Sequence, residues 1–330
     1  MKILITGSTG LVGSEAVKYF SEKGYEIIGI DKDKRSKFFG TPSKKLEAYW
    51  SLDITSPEDM EHLFSTNAPF DAIIHCAGQP SHDYSKDNVL EDFDTNARGT
   101  VILLEAARKY SPKAVFVHCS TDKIYGEGMY RTPVGMDGLE EQETRYHSPF
   151  PFDENTTIRP ALSPFGVSKL AADFYVQEYA AQGWLTTGVF RMGCITGRNH
   201  EGAEQHGFLA YLAKCIKEGK TYNIYGYKGK QVRDQIHAYD LVAAFAHFIE
   251  NPKSGEAYNM GGGPERSVSV LEAGRLIADK LGLPFNYEIK EGRFGDRQWD
   301  VHDISKFRRD YPDYDYRYSL DDIITDLCQK

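Results

Sequence analysis

The stretch Lys2-Ile3-Leu4-Ile5-Thr6-Gly7-Ser8-Thr9-Gly10-Leu11-Val12-Gly13 decides the fold. An apolar run, a glycine-rich turn and an amphipathic stretch to about Glu22 read as strand, turn and helix. The GxxGxxG spacing lets the backbone turn tightly, approach a pyrophosphate and pack the helix on the strand, while the helix N-terminus offers N–H donors. A glycine triplet alone is a weak signal, and its context strengthens it. Residues 26–30 read as a second strand ending in Asp31, roughly 20 residues beyond the turn, where a carboxylate can hydrogen-bond ribose hydroxyls. That carboxylate would repel a 2′-phosphate, so NAD is expected. Lys32, Lys34 and Arg35 follow and could hold such a phosphate; a solvated basic loop is the plainer reading.

Working outward, residues 49–52 form a third strand with Asp53-Ile54 at its end, Asp53 being placed to meet the adenine edge. Ser56-Pro57-Glu58-Asp59 is a helix start, with a Ser cap, Pro at the first position and acids in the first turn. A fourth strand, 72–76, runs into Ala77-Gly78-Gln79-Pro80, where small residues let a cofactor lie close to the backbone. Residues 88–110 read as one long helix with Asn96 early in it, and 114–118 as a fifth strand ending in Cys119-Ser120-Thr121-Asp122-Lys123-Ile124-Tyr125-Gly126. Strands alternating with helices predict an α/β chain with a Rossmann-type, doubly wound parallel sheet, whose ligands sit at the carboxyl ends of the strands.

Residues 127–164 break the periodicity. They are rich in proline, acids and aromatics, and fit a long ordered loop over the site better than a linker. A helix over 165–182 and a sixth strand over 186–192 follow. From 193 the pattern is mixed, with helices near 208–218, 240–249 and 270–281, a strand at 223–225 and a turn at 227–229. The expected division is 1–192 with 236–261 for the Rossmann domain, and 193–235 with 262–330 for a smaller mixed α/β lobe that binds substrate.

The chain has 330 residues and a formal charge of −9. That balance argues against nucleic acid as the main partner, since phosphate binding needs a basic surface. The five cysteines, at 76, 119, 194, 215 and 328, show no metal-ligand spacing, so no metal is expected and reduced thiols in a cytoplasm are. Cys76 and Cys119 read as small buried hydrophobes in strands. Met1 leads straight into a strand, with no secretory signal. The apolar runs fall short of the roughly 20 residues of a membrane span.

A second stretch carries the chemistry: Ser163-Pro164-Phe165-Gly166-Val167-Ser168-Lys169-Leu170-Ala171-Ala172-Asp173. It reads as a helix start in which positions 165 and 169, four apart, share a face. A phenol and an ammonium so spaced would make a general base. Position 165 is Phe, which has no ionisable group.

Together these parts resemble the extended short-chain dehydrogenases/reductases acting on nucleotide sugars, over essentially the whole chain. The motifs are the glycine turn, Asp31, Asp53, Cys76-Ala77-Gly78, Asn96, Ser120-Thr121 before Tyr125-Gly126, FxxxK at 165–169, and Gly229-Lys230-Gln231-Val232-Arg233-Asp234. Within that family the fragments STDKIYG (120–126), ETRYH (143–147), the Ser163–Lys169 stretch and GKQVRD look most like the CDP-paratose (CDP-tyvelose) 2-epimerases. The resemblance implies NAD held by Gly7, Thr9, Gly10, Leu11, Val12, Gly13, Asp31, Lys32, Asp53, Ile54, Cys76, Ala77, Gly78, Gln79, Asn96, Ser120 and Lys169. It implies a nucleotide-diphosphate sugar, CDP-linked by preference, met by Gln79, Thr121, Cys194, Arg233 and Arg297, and catalysis around Phe165, Lys169, Thr121, Asp122 and Lys123.

In the family the residue matching Phe165 is the catalytic tyrosine, whose phenolate takes a proton from a sugar hydroxyl. Three explanations compete: an engineered Tyr-to-Phe exchange that traps substrate, a natural enzyme using Tyr146, His147 or Asp122 as base, or a non-catalytic binding protein. The reaction implied is epimerisation by transient oxidation to a keto sugar, with a 4,6-dehydratase or a 4-epimerase as the alternatives. The 4,6-dehydratases of the family often carry Asp-Glu where Asp122-Lys123 stands here, which weakens the dehydratase reading, while the Asp-Lys pair of other dehydratases keeps it open. Cys194 falls where relatives place a polar, substrate-contacting residue. His237 reads as a core histidine. Arg233 suits a bidentate grip on a pyrophosphate. The helices from 88 and 165 resemble those of a homodimer interface, with a tetramer as the larger option.

Overall fold

A computed structural model describes residues 1–32, 49–131, 144–146, 151–160, 163–200, 202, 204, 207–292 and 296–329. Seven parallel strands form the main sheet: β1 (Lys2–Thr6), β2 (Glu26–Asp31), β3 (Tyr49–Ser51), β4 (Ala72–His75), β5 (Val115–Thr121), β6 (Thr186–Met192) and, later in the chain, β10 (Glu256–Met260). Between β6 and β10 come β7 (Cys194–Thr196), β8 (Tyr222–Tyr225) and β9 (Val232–His237); β11 (Ser267–Ser269), β12 (Tyr287–Lys290) and β13 (Trp299–Asp300) follow. The main sheet runs β10-β6-β5-β4-β1-β2-β3. The order turns back between β1 and β4, the switch point where such a sheet opens a cleft at its carboxyl edge.

Strand alternation decides which core each residue enters. Ile3 and Ile5 face the helices Leu11–Glu22 and Ala238–Glu250, whereas Leu4 faces Pro57–Asn67 and Gly99–Tyr110. Both faces are thus covered, which is why β1 and β4 read as continuous apolar runs. The helices Phe208–Lys217, Val270–Leu281 and Leu320–Cys328 pack into a third core. Apart from the end of β9, the strands outside the main sheet fall in 193–235 and 262–330, and none of those ranges contributes to the main sheet.

Several elements differ from their sequence reading. The helix expected over 88–110 is Val89–Phe93 and Gly99–Tyr110 joined by a π-helical stretch, Asp94–Arg98. The widened turn carries Asn96 and turns it inward, a frequent property of π-bulges. A short helix before it, His82–Asp87 capped by Ser81, and strand β10 had no strong sequence signal, each being only five or six residues long. β5 continues to Thr121, so Ser120 and Thr121 belong to the strand rather than the loop after it. Of the long loop over 127–164, residues 132–143, 147–150 and 161–162 lie outside the described part. Its described pieces dock on the second half of the chain, through Tyr146 N to the Lys230 carbonyl (2.9 Å) and a bridge from Phe152 to His302. His237 is structural as expected: its ring stacks on Tyr318 at 3.8 Å and accepts from the Tyr239 N–H.

His75 and His118 sit side by side in β4 and β5, fully buried, with ring centroids 5.3 Å apart. His75 bonds Thr6 and Thr100 through its two ring nitrogens, while neither nitrogen of His118 has a partner among the described residues. Burial, reinforced by the Lys169 charge, pulls His75 down to about 3 and His118 well below its usual value. Both are neutral in the fold but take a proton near pH 6.5 when unfolded. Their contribution is therefore complete above pH 6.5 and is lost as pH falls toward about 3. At pH 5 the His75 contribution alone should fall by about 2 kcal/mol relative to pH 7. Denaturant midpoints across pH check this. His118→Leu should flatten the acid limb, and an unchanged slope would exclude the pair as its cause.

Candidate functional site

At the carboxyl edge of the sheet lies a cavity of about 610 Å³, running from the glycine turn past Phe165 and Lys169 to β8. Every residue that the resemblance implies for cofactor, substrate and catalysis lines it except Asn96. At the turn, Gly7 has φ +67°, and a Cβ there would lie 2.7 Å from the Ala77 nitrogen. A Cβ on Gly13 would fall 2.1 Å from the Gly7 carbonyl oxygen, so helix and strand approach each other only because both residues are glycine. No side chain caps the helix Leu11–Glu22, which leaves its first N–H groups directed to a ligand. Asp31, at the end of β2, accepts from the Thr9 N–H (2.9 Å) and hydroxyl (2.5 Å) and from the Lys32 N–H (2.8 Å). Lys32 pairs through Nζ with Asp53. The carboxylates at both strand ends are therefore held in place, and this cradle fits an adenine dinucleotide without a 2′-phosphate. Lys34 and Arg35 lie outside the described residues.

Behind this wall, Asn96 grips the backbone of Gln79, accepting from its N–H (2.8 Å) and donating to its carbonyl (3.2 Å). It shapes the cavity rather than lining it. The Gln79 amide is itself committed to Asp92 (2.6 Å) and the Ser81 carbonyl (2.9 Å). Asp92, buried and unnoticed in the sequence, also accepts from Ser168 (2.5 Å), and burial raises its pKa. Ser120 likewise turns to Asp173 (2.8 Å), which accepts from Nε and one terminal nitrogen of Arg191 in a bidentate pair.

The helix Pro164–Ala181 brings Phe165 and Lys169 to the cavity. Ser163 caps it, Pro164 starts it, and the Phe165 N–H donates to Ser85 (3.2 Å). Lys169 donates from Nζ to the Cys119 carbonyl, and burial lowers its pKa. Cys76 and Cys119 meet beneath it with sulfurs 3.5 Å apart. The neighbouring Cys119 thiol and burial push the Cys76 pKa well up. Thr121 donates to Asp122 (3.1 Å).

Beyond Thr121 the cavity wall becomes a charge network. Asp122 Oδ2 lies 3.0 Å from Lys123 Nζ and 3.0 Å from Arg297, and Asp300 Oδ2 lies 3.2 and 3.3 Å from the same two groups. Arg233 bonds Asp296 and the Arg297 carbonyl and lies 3.8 Å from Asp300. Three cations face three carboxylates. Burial opposes the charge on Asp300, but Lys123, Arg297 and Arg233 outweigh it and hold its carboxyl well below the usual range. Burial and Arg297 oppose the charge on Lys123, but Asp122 and Asp300 prevail and raise its pKa, so it is a firm cation. Burial, then Asp300, pushes the Cys194 thiol up to about 12.

Arg297 is only 2% exposed, yet its Nε and second terminal nitrogen have no partner among the described residues. Such buried donors call for a ligand. The sequence favoured Arg233 for this grip, but the guanidinium with donors to spare is Arg297. His82, which sequence reading missed, lines the same region with an unpartnered Nε2; burial, then the Lys123 charge, lowers its pKa. Tyr146 packs against Tyr227 instead of reaching the cavity, and His147 lies outside the described residues. Asp122, Asp300 and His302 could together offer three ligand atoms to a metal, but the two carboxylates already hold Lys123 and Arg297.

The profile of the NAD dependent epimerase/dehydratase family matches residues 3–261. The chain belongs to that family. As a family member it is 32% identical over 320 residues to the CDP-paratose 2-epimerase of Salmonella typhi, covering 93% of this chain and 92% of the relative. It is 30% identical over 335 residues to dTDP-glucose 4,6-dehydratase 1 of Escherichia coli K12, covering 97% and 85%. Its fold matches the Thermotoga maritima UDP-glucose 4-epimerase solved with UDP-glucose, with a TM-score of 0.83 at 25% identity over 100% of this chain and 98% of the other. This epimerase/dehydratase family member uses NAD. No helix among its described residues is long and apolar enough to cross a membrane.

Proposed function

We propose that this chain is an epimerase acting at C2 of a CDP-linked deoxyhexose, with Phe165 in the place of the catalytic tyrosine. The observation that carries the reading is the likeness to a CDP-paratose 2-epimerase over nearly the full length of both chains. Bound NAD supplies the acceptor and donor of hydride, so there is no net redox change. The chain's own residues do the rest. Arg297 offers its two unpartnered donors to the diphosphate, backed by Arg233, and Lys169 holds the cofactor ribose. Thr121, which gives its own proton to Asp122, stands on the cavity wall where it can accept from the reacting sugar hydroxyl, and the cavity leaves room for the keto sugar to turn.

Phe165 keeps the ring and lacks a proton acceptor. With every neighbouring group in position, a Tyr-to-Phe exchange in a parent enzyme is the reading that fits. A natural alternative base is the second reading, favoured by His82 with its unpartnered Nε2; Asp122 serves that role poorly, being locked between two cations. A 4,6-dehydratase is disfavoured because position 123 carries a firm cation instead of a second carboxyl base. The Phe165→Tyr version incubated with CDP-, UDP-, dTDP- and GDP-sugars, with NMR of the products, tests the reading. Inversion at C2 supports it; loss of water, or inversion at C4, sinks it.

The same reading includes a cytoplasmic homodimer. All five cysteines are unpaired, as in a reducing compartment. Leu90, Phe93 and Phe174 are 80%, 50% and 52% exposed on the helices Val89–Phe93 and Pro164–Ala181, which suits a buried interface between copies. Leu90→Glu with Phe174→Glu should yield a folded monomer in sedimentation velocity, and a variant that still sediments as a dimer would remove these helices from the interface.

A further inference from the structure

Past the arginines the cavity continues into one more compartment, and hydrogen bonds fix its place. Thr121 leads to Asp122, Asp122 to Arg297, and Arg297 to Arg233. Gln231, two residues before Arg233, therefore points to the same side of the chain and carries the wall onward. Its Nε2 donates to the Tyr225 carbonyl (3.1 Å). Since only the amide nitrogen can donate, Oε1 must face the other way, and it is buried without a partner among the described residues. The Tyr225 hydroxyl then reaches Glu204 Oε1 (2.8 Å), as does Asn223 Nδ2 (2.9 Å). Phe208 and Tyr222 supply flat apolar walls to the same compartment.

A nucleotide-diphosphate sugar with its sugar at Thr121 and its diphosphate at Arg297 puts its base here. The aromatic walls suit a planar ring. Two acceptors line this compartment, the Glu204 carboxylate, to which Tyr225 and Asn223 donate, and Gln231 Oε1. At the 4-position cytosine presents an amino donor where uracil and thymine present the O4 acceptor, their own donor being N3–H one position along the ring.

We propose that Glu204 reads the base, its carboxylate accepting from the cytosine N4 amino group and disfavouring uracil and thymine. This rests on the nucleotide-sugar reading and supplies its base specificity. A charge-assisted acceptor is matched by the correct base and left facing lone pairs by the wrong one. Neither the glycine turn nor the catalytic helix takes part.

Calorimetric titration of the NAD-loaded protein with CDP and with UDP, sugar-free, tests it. CDP should bind about tenfold or more tighter than UDP. Glu204→Gln, whose amide offers a donor as well as an acceptor, should narrow the gap to about threefold or less, chiefly by improving UDP. Glu204→Leu should weaken CDP by about tenfold and change UDP less. Glu204 is exposed, so both variants should keep their NAD and their melting temperature. Equal binding of CDP and UDP by the unaltered chain overturns the proposal, as does a gap that survives in both variants. Binding of neither nucleotide overturns the nucleotide-sugar reading, and the base-reading role with it.

Discussion

Replacing Phe165 by tyrosine is expected to raise epimerase turnover by about 100- to 10,000-fold, the usual worth of a positioned general base. The ring lines the cavity one helical turn before Lys169, so a hydroxyl added there enters space next to an ammonium that is already buried and held by the Cys119 carbonyl. That positive neighbour stabilises the phenolate over the phenol, lowering its pKa toward the working range. Binding should scarcely change, because the spare donors of Arg297 and the cradle around Asp31 are untouched. The expected signature is a large rise in kcat with KM nearly constant. Single-turnover and steady-state assays on both versions check it. Comparable turnover by both would give the base role to another group, and His82→Gln would then be the next variant to assay. A Tyr version that binds CDP-sugar and NAD but makes no product from any sugar would favour a binding protein.

Removing one carboxylate from the charge network should produce the largest loss of stability. Asp300→Ala leaves Lys123, Arg297 and Arg233 facing only Asp122 and Asp296. Asp300, Arg297 and Arg233 have side chains no more than 11% exposed, so water does little to screen the excess. Breaking a buried ion network by deleting one partner costs about 3–5 kcal/mol. Asp300→Asn, which keeps the volume, should cost nearly as much, since the lost charge rather than the lost packing is responsible. A diphosphate would return negative charge to the same place, so saturating CDP should stabilise the variant by more than it stabilises the parent chain. Urea denaturation with and without CDP measures both effects. A loss under about 1 kcal/mol would mean that the network is solvated in solution and contributes as a surface pair does.

Local patterns in the chain made much of this legible. Alternating apolar runs and glycine spacing gave the parallel sheet, because strand burial on both faces and close helix–strand approach impose themselves on consecutive residues. Ser163-Pro164 marked the start of the helix that carries Phe165 and Lys169, since a cap and a helix-compatible φ are properties of neighbours. Asp31 was readable at its offset, and Phe165 was conspicuous through what its side chain lacks. The π-helical turn around Asn96 was not readable, because one extra residue per turn leaves no mark on composition and is stabilised by what the turned-in side chain meets, here the backbone of Gln79.

The sequence by itself therefore determined the cofactor fold, the dinucleotide end of the cavity and the absence of a phenol at 165. Tertiary structure alone decided how the charges are spent. Asp122 meets Arg297 across 175 positions, and Lys123 meets Asp300 across 177. It also decided that Arg297 rather than Arg233 keeps donors in reserve, and that Tyr225 and Asn223 both donate to Glu204. The physical reason is one of range. Propensity, capping and periodicity act between residues a few positions apart and leave a local trace, whereas partners in an ion network are chosen by packing between distant segments.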